Sequence, residues 1–191
     1  MNSHPMSSAE EAIAIAKKLN LVPIPSEGGY YSLTFTSKET LPNPDALGGG
    51  QRAVVTVIYF MLFRDFNAMH RMGTNEVWTY HGGSTLTLYQ IKPDGTLVTH
   101  KLGNVLEAEE NQPQVAIETG SWMAAELKRH DDYVLVSCTV APGFEPNDSK
   151  FPDRDEMCAK FPQYRDLFMR LIRVIPGTSK PNLAYSSPKL F

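Results

Sequence analysis

The feature that most constrains this chain is a succession of short β-type runs separated by turn signals between residues 32 and 140. The runs at 54–63 and 133–140 are almost continuously β-branched, aromatic or apolar, which is typical of strands buried on both faces. The Pro-Asp-Gly triplet at 93–95 indicates a tight hairpin turn. About eight strands at such close, regular spacing predict an all-β fold, either an antiparallel sandwich or a barrel.

Helices are predicted at both ends of this β-rich region. Ser8 and Glu11 have the spacing of a capping box, which predicts a helix that ends before Pro23. A second, amphipathic helix is predicted to begin at Pro162. The residues that form its apolar face are Tyr164, Leu167, Phe168, Leu171 and Ile172.

The length and composition fit one globular domain. The chain has 191 residues, of which 42% are hydrophobic and 20% charged, and this is enough for one domain with a full core. We assign that domain to residues 1–176, with a barrel core at about 27–144 and a helical cap at 153–175. Residues 177–191 carry only scattered apolar side chains, so we expect an arm that is extended or disordered.

Charge and cysteine content exclude several classes of function. The net charge is -3 and the basic residues are scattered, which argues against a nucleic-acid surface. No apolar run approaches the ~20 residues needed to span a bilayer, and the first residues lack the pattern of a secretion signal. Cys138 and Cys158 form neither a disulfide framework nor a metal knuckle. We therefore expect a cytoplasmic protein without membrane or nucleic-acid partners.

The segment at 68–82 combines a titratable His70, the acid Glu76 and two large aromatic residues in a short span. We expect one strand to carry His70 and, after a tight turn, a second strand to carry Glu76, Trp78 and Tyr80. The last three residues are expected on a common face because side chains repeat every second position along a strand. This density of chemical groups predicts that the functional site lies here.

Five short motifs occur in a fixed order between residues 27 and 144. They are Glu27-Gly28-Gly29-Tyr30, Ile58-Tyr59-Phe60-Met61-Leu62, His70-Arg71-Met72 with Asn75-Glu76-Val77-Trp78, Gly120-Ser121-Trp122, and Ala141-Pro142-Gly143-Phe144. In this order they resemble the signature of the Cupin_5 (DUF985) family of the cupin superfamily. The resemblance implies a double-stranded β-helix, or jelly roll, whose mouth holds a small-molecule site, and commonly a homodimer.

Cupins in general bind a metal through two histidines, a glutamate and a third histidine. By resemblance those four positions correspond here to His70, Met72, Glu76 and Met123, so two of the four ligands are retained. A methionine thioether suits Cu(I) but binds Fe, Mn or Zn poorly. We therefore expect no certain cofactor, and a divalent metal, if bound, would be held weakly by His70 and Glu76.

If His70 and Glu76 both face a barrel mouth, they are candidates for acid/base catalysis. A neighbouring carboxylate raises the pKa of a histidine while burial lowers it, which leaves a group that exchanges protons near neutrality. Such a group serves as a general acid or base, worth roughly 10²- to 10⁴-fold in rate. The alternative is a structural hydrogen-bonded pair that joins two strands.

A largely apolar pocket with a few polar groups is the usual composition of a small-ligand site. The residues that we expect to contact a substrate are Glu27, Tyr30, Arg52, Thr56, Tyr59, Met61, Met72, Trp78, Tyr80, Trp122 and Met123. For each aromatic residue and each methionine in this set, plain core packing is the alternative.

Five residues need separate interpretation, and two of them, Arg52 and Glu27, have competing interpretations. Arg52 either reaches the pocket rim, to meet an anionic or carbonyl group, or is a solvated residue at a strand end. Glu27 either folds over the mouth of a barrel or is a plain turn carboxylate. His81 and His100 lie in turn and hairpin contexts and are assigned to solvent. Cys138, in a buried strand, is interpreted as an inert core thiol.

Three functions remain open from the sequence. The first is an isomerase, epimerase or lyase that transfers protons on a small polar metabolite through His70 and Glu76. The second is a non-catalytic protein that binds an aromatic or heterocyclic ligand by stacking on Trp78 and Tyr59. The third is a metal-dependent oxygenase that uses His70 and Glu76 together with a ligand from the substrate.

Overall fold

The computed structural model describes residues 6–45 and 48–191, and most of its regular structure is β-strand. The elements are α1 (Ser8–Lys18), β1 (Val22–Pro23), β2 (Tyr30–Thr36), β3 (Thr40–Pro42), β4 (Gln51–Ala53), β5 (Thr56–Phe63), β6 (Asn67–Arg71), β7 (Asn75–Gly83), β8 (Leu86–Ile91), β9 (Leu97–Leu102), β10 (Asn111–Gln112), β11 (Gln114–Ile117), β12 (Trp122–Leu127), β13 (Tyr133–Ala141), α2 (Arg154–Lys160) and α3 (Arg165–Leu171). Short 3-10 turns lie at Pro146–Asp148 and Pro162–Tyr164.

The strands form two large sheets and one small ribbon. The larger sheet has the order β1-β2-β5-β13-β7-β11, the second has the order β10-β9-β8-β12-β6, and β3 pairs with β4. Among the described strands, pairing is antiparallel except between β9 and β10. The chain changes sheet at each step from β5 to β8 and again at each step from β10 to β13. The predicted all-β fold with a helix at each end is confirmed.

The main core lies between the two sheets. β13 alternates strictly, and its buried positions Val134, Val136, Cys138 and Val140 face the interior. They meet residues of the opposing sheet such as Leu88, which is fully buried. This alternation is what the period of two along a strand requires when one face is core.

Helix α1 packs on the outer face of the larger sheet through Ala12 and Ala16. Its capping box is formed by Ser7 and Glu10, so the predicted box of Ser8 and Glu11 was displaced by one residue. The sequence contains both pairs at the same spacing, and Glu11 instead accepts a hydrogen bond from Tyr133 Oη at 3.1 Å. The contact between Glu11 and Tyr133 therefore favours the Ser7–Glu10 box over the equally spaced Ser8–Glu11 pair.

Helices α2 and α3 cover the outer face of the second sheet. The predicted amphipathic helix starts at Pro162 as a 3-10 turn and continues as α3. Leu167, Phe168, Leu171 and Ile172 are buried there in a cluster with residues of β6 and β12, as predicted. Within the described ranges, each helix is too short or too polar to cross a membrane.

Residues 177–191 contain turns, bends and two isolated bridges, Val174–Pro181 and Pro25–Ser186, and they contact the rest of the chain near Asp65. Asp65 accepts hydrogen bonds from Ser187 and from Tyr185, and it pairs with Arg173 at 2.8 Å. Burial opposes ionisation of Asp65, but these partners outweigh it and lower the pKa of the carboxyl. The arm also contacts Ser26, whose N–H donates to Tyr185 O at 2.7 Å.

Candidate functional site

A cavity of about 610 Å³ lies between the larger sheet and β6. This volume is within the range of about 300–1,000 Å³ that small-molecule sites occupy. Strands β2, β5, β7 and β13 contribute most of its walls. Ala53, His70, Met72 and the segments at 24–27 and 144–151 contribute the remaining surface. The lining is mostly apolar, with His70 and the carboxyl groups of Glu27, Glu76 and Glu145 among its polar groups.

His70 lies on β6 and is 1% exposed. Its Nδ1 is 2.8 Å from the carbonyl oxygen of Ala68. Because a carbonyl oxygen only accepts, Nδ1 must carry the proton, and this fixes the tautomer of the neutral ring. In that neutral form Nε2 carries the lone pair, and Nε2 and Glu27 Oε2 are 3.8 Å apart.

Glu27 reaches the cavity because of the two glycines that follow it. Gly28 and Gly29 have φ of 87° and 81°, a left-handed conformation that glycine adopts without steric cost. A Cβ at Gly29 would also lie 2.7 Å from the Phe60 ring. The Glu27 side chain is held by Ser149, whose hydroxyl donates to Oε1 at 3.0 Å.

Glu76 lies on β7 and is buried, with only 7% of its surface exposed. Burial raises the pKa of its carboxyl to about 7, and the charge of Glu27 adds to the rise. His70, the Trp78 indole and the Cys138 thiol act in the opposite direction. Glu76 Oε2 makes no hydrogen bond of normal geometry to any of the described residues.

His70 and Glu76 occupy opposite sheets. β6 pairs with β12, where Met123 is opposite His70, and β7 pairs with β13, where Val140 is opposite Glu76. The two strands follow one another through a short connection, as expected, but they do not pair, because the connection at 72–74 crosses between sheets. The structure brings both side chains to one cavity, and no hydrogen bond joins these two described residues.

The family model described as "Cupin superfamily (DUF985)" matches residues 13–152. The chain belongs to this family. The two sheets that the chain crosses repeatedly are the jelly-roll β-barrel of a cupin, so the predicted fold and the predicted family are both confirmed.

Solved structures support the same fold. A protein from Shewanella oneidensis is 28% identical, with a TM-score of 0.76, over 90% of this chain and 100% of that one. A hypothetical protein from Leishmania major is 26% identical, with a TM-score of 0.73, over 82% and 95% of the two chains. A cupin 2 conserved barrel domain protein from Rhodopseudomonas palustris shares the fold at 13% identity, with a TM-score of 0.51 and coverage of 81% and 90%. No curated protein matches the chain.

Of the other residues expected at the substrate site of this cupin, Glu27, Thr56 and Met72 line the cavity. The hydroxyl of Thr56 accepts a hydrogen bond from Phe144 N at 2.9 Å, which connects β5 to the loop at 144–151. Met72 Sδ is 3.4 Å from the Ser149 hydroxyl, which also contacts Glu27.

Tyr30, Tyr59 and Met61 do not line the cavity and instead pack against the α1 cluster on the outside of the sheet. The period of two explains the error, since Thr56 and Ile58 face inward and Tyr59 and Met61 must therefore face outward.

Arg52 is buried at 1% exposure and forms an ion pair with Asp148 at 2.5 Å. Its Nε donates to Gly143 O at 2.9 Å, and Nη1 donates to Asn43 Oδ1 at 3.0 Å. Both expectations for Arg52, a rim residue and a solvated strand end, were therefore wrong. Its guanidinium fastens the loop that carries Phe144 and Ser149.

The remaining expected contacts also lie away from the cavity surface. Trp78 and Met123 are buried in the core, and Tyr80 donates to Gly83 O at 2.5 Å. Trp122 packs toward the helical side and lies under Arg71. Trp78 does share the face of Glu76, but it packs against Phe60 instead of lining the cavity.

His100, which was assigned to solvent, and Cys138, which was assigned to the core, differ in part from those assignments. His81 is exposed, whereas His100 is half-buried with Nε2 3.1 Å from Gln90 Oε1. Cys138 is buried but lines the cavity, and burial together with the Glu76 charge raises the pKa of its thiol well above the ordinary value. It is therefore a protonated group in the cavity wall.

Sequence reasoning missed the residues of the 144–151 loop. Phe144, Ser149 and Phe151 line the cavity, and the Phe151 ring is 6.1 Å from the ring of His70. Ser149 is far from Glu27 in sequence, so no local pattern could identify it. Tyr31, also missed, alternates with Leu33 on β2, and this spacing could have revealed it.

The donor atoms do not fit the four-ligand metal site of other cupins. Met123 is fully buried in the core and is not part of the cavity wall. Among the residues that the structure describes, no group of three or more His, Cys, Asp or Glu side chains is arranged to hold a metal ion. His70 and Glu76 alone would leave such an ion with too few protein ligands for a stable site.

Proposed function

We propose that this cupin is an enzyme that transfers protons on a small molecule bound in the cavity, as an isomerase, epimerase or lyase does. The observation that carries the proposal is the position of His70 and Glu76 on opposite sheets, with both side chains at one cavity. Groups on two walls are able to act on two faces of a bound molecule.

His70 is the base in this proposal. Its Nδ1–H is held by Ala68 O, so the unprotonated Nε2 is the atom that accepts a proton from the substrate. The imidazolium that results lies beside the Glu27 carboxylate, which stabilises the positive charge. Ser149 keeps Glu27 in position through its hydrogen bond to Oε1.

Glu76 is the acid in this proposal. A carboxyl with a pKa of about 7 is present in both protonation states near neutrality, so it is able to donate a proton and to recover it. Donation from the wall opposite His70 returns a proton to the substrate at a different position or face. An isomerisation or epimerisation follows when the substrate stays intact, and an elimination follows when the proton goes to a leaving group.

The two other functions have less support. The aromatic rings at the cavity are Tyr31, Phe144 and Phe151, so a protein that stacks a ligand on Trp78 and Tyr59 does not match this site. The donor set described above gives no protein-built site for a metal-dependent oxygenase. The deuterium-uptake experiment described next also distinguishes an enzyme from a protein that binds a ligand without changing it.

Deuterium uptake tests the proposal even though the substrate is unidentified. A defined mixture of amines, amino acids, hydroxy acids and sugars is incubated with the protein in D₂O and analysed by mass spectrometry. We expect one class of compound to gain deuterium at carbon, or to convert to an isomer or elimination product that carries deuterium. In His70→Gln and Glu76→Gln, the rate should fall roughly 10²- to 10⁴-fold.

Tyr59→Phe is the control because Tyr59 lies on the outer face of the same sheet. It should retain the wild-type rate. Compounds that bind without gaining deuterium would identify a non-catalytic binding protein. Equal rates in wild type and His70→Gln would remove His70 from the mechanism.

We also propose that the protein is a homodimer, joined through the outer part of β2. Leu33 and Phe35 are 61% and 51% exposed there, and β1 pairs only with Tyr30 and Tyr31. A second copy would cover this apolar edge and would close the side of the cavity that Leu33 lines. Light scattering should give twice the monomer mass, and Phe35→Glu should give the monomer. The cytoplasmic location stays a prediction.

A further inference from the structure

The lining of the cavity has an excess of negative charge. Three glutamates, Glu27, Glu76 and Glu145, face a single imidazole, that of His70. No lysine or arginine is present among the described residues that line it. An anionic ligand would meet carboxylates without a compensating cation, so the site disfavours phosphates and carboxylates.

Cationic residues near the cavity do not change this balance. Arg52 adjoins the wall residue Ala53, but its guanidinium is fully engaged with Asp148, Gly143 and Asn43. Arg71 is exposed and its guanidinium lies over the Trp122 ring on the other side of β6.

Glu76 has a buried carboxyl oxygen, Oε2, to which no described residue donates a hydrogen bond of normal geometry. The Trp78 indole and the Cys138 thiol are donors near the same carboxyl and lower its pKa. A buried acceptor without a well-formed hydrogen bond costs free energy, and a ligand donor that reaches this carboxyl would offset that cost. Glu27 differs, because Ser149 binds its Oε1 and His70 faces its Oε2.

The rest of the surface suits an apolar molecule. Tyr31, Phe144 and Phe151 present aromatic rings, and Ile58 and Val140 present aliphatic groups. Aromatic faces attract organic cations within a few ångströms as well as apolar groups. Negative charge and aromatic surface in the same cavity are complementary to an amine with an apolar body.

We infer that the ligand of this cavity is a small organic cation, a protonated amine or amidine on an apolar body, whose N–H groups bind Glu76. The inference rests on the proposed function only in placing the ligand in this cavity. It concerns binding to the ionised form of Glu76, whereas the proposed proton transfer uses the protonated form, and a pKa of about 7 populates both forms near neutrality. It also separates this cupin from enzymes that act on sugar nucleotides, because the described lining offers no cation for a phosphate.

Three probes of nearly equal shape test the inference by calorimetry at about pH 8, where Glu76 is mainly ionised and an alkylamine is still protonated. They are 2-phenylethylamine, 2-phenylethanol and phenylacetate, which carry a positive charge, no charge and a negative charge. We expect the amine to bind at least about tenfold more tightly than the alcohol, and phenylacetate to bind most weakly. In Glu76→Gln this preference for the amine should fall about tenfold.

Glu109→Gln is the matched control, since Glu109 is an exposed glutamate outside the cavity lining and its replacement changes the net charge equally. It should retain the wild-type ranking. The inference is overturned if phenylacetate binds as tightly as the amine, if Glu76→Gln keeps the full preference, or if the amine does not bind at about 10 mM.

A measurement on the wild-type protein covers the case in which Glu76→Gln does not fold. Binding of a cation beside Glu76 near pH 7 should release protons, because it favours the ionised carboxyl. Calorimetry in two buffers of different ionisation enthalpy detects that release, and its absence would contradict the inference. The order in which the three probes bind does not depend on turnover. A wrong order would therefore contradict this inference alone, whereas an absence of deuterium uptake would contradict the proposed function.

Discussion

Glu27 Oε2 lies 3.8 Å from His70 Nε2, although the two residues are far apart in the sequence. The contact exists because Gly28 and Gly29 turn the chain toward β6, where Ala68 N donates to Glu27 O at 2.7 Å. The contact with Glu27 and the hydrogen bond from Nδ1–H to Ala68 O fix the orientation of the His70 ring from both of its nitrogen atoms. In the proposed mechanism, Nε2 is the atom that accepts a proton.

The first prediction concerns Glu76 and stability. The folded-state pKa of Glu76, about 7, is above its ordinary value of 4.5, so between these pH values the folded protein binds more protons than the unfolded chain. The contribution of Glu76 to the free energy of unfolding is therefore full below pH 4.5 and is lost as the pH rises to about 7. At ~1.4 kcal/mol for each pKa unit, the loss is about 3 kcal/mol.

Urea unfolding of wild type and Glu76→Gln at several pH values measures this loss. The difference in free energy of unfolding between wild type and Glu76→Gln should change by up to about 3 kcal/mol between pH 4.5 and 7. The change should make Glu76→Gln the relatively more stable protein at the higher pH. His70, Glu27 and Cys138 also face Glu76 and will modulate the midpoint. Glu109→Gln should follow wild type, and a Glu76→Gln curve parallel to wild type would contradict the prediction.

The second prediction concerns the Arg52–Asp148 ion pair. Both side chains are fully buried, so removing one partner leaves an uncompensated charge. We expect Arg52→Met to lower the free energy of unfolding by about 3–5 kcal/mol. Thermal or urea unfolding measures the change.

The exposed pair of Arg64 and Asp131 supplies the comparison for that measurement. Arg64→Met should cost at most about 1 kcal/mol, because solvent screens the pair. Similar costs for the two variants would mean that Arg52 does not have the structural role described above.

The third prediction concerns the C-terminal arm and the cavity. Ser187 Oγ accepts from Gly29 N at 3.0 Å and donates to Asp65. Ser187→Ala should therefore cost about 1–3 kcal/mol, since it leaves a buried N–H with a poorer partner. Hydrogen exchange should increase at Gly29, next to Glu27. The neighbouring Ser186→Ala, at an exposed position, should leave exchange at Gly29 unchanged, and equal effects of both variants would rule out this role for the arm.

The sequence predicts the fold well because several independent motifs point to the same family. Its limits are visible in particular residues. Thr56 and Tyr59 were both expected at the site, yet they lie an odd number of positions apart on β5 and face opposite sides of the sheet. His70 and Glu76 were expected on two strands joined by a tight turn, but the sequence did not reveal that this short connection crosses between sheets.

Long-range contacts account for the other differences. Ser149 contacts Glu27 from the loop at 144–151, which Arg52 holds through Asp148, and neither contact leaves a signal in the local sequence. The same folding brings Cys138 beside Glu76, where a buried strand alone had indicated a core thiol. Motifs therefore predict which segments meet, whereas packing decides which side chains reach the cavity.

The most direct test of the account is a titration of the Glu76 side-chain carboxyl carbon by NMR, in ¹³C-labelled wild type and in His70→Gln. We predict a midpoint near 7 in wild type, and a higher midpoint in His70→Gln, because the imidazole lowers the pKa of Glu76 across the cavity. A midpoint near the ordinary value of 4.5, or one that does not respond to the loss of His70, would contradict the coupling on which the proposed chemistry depends.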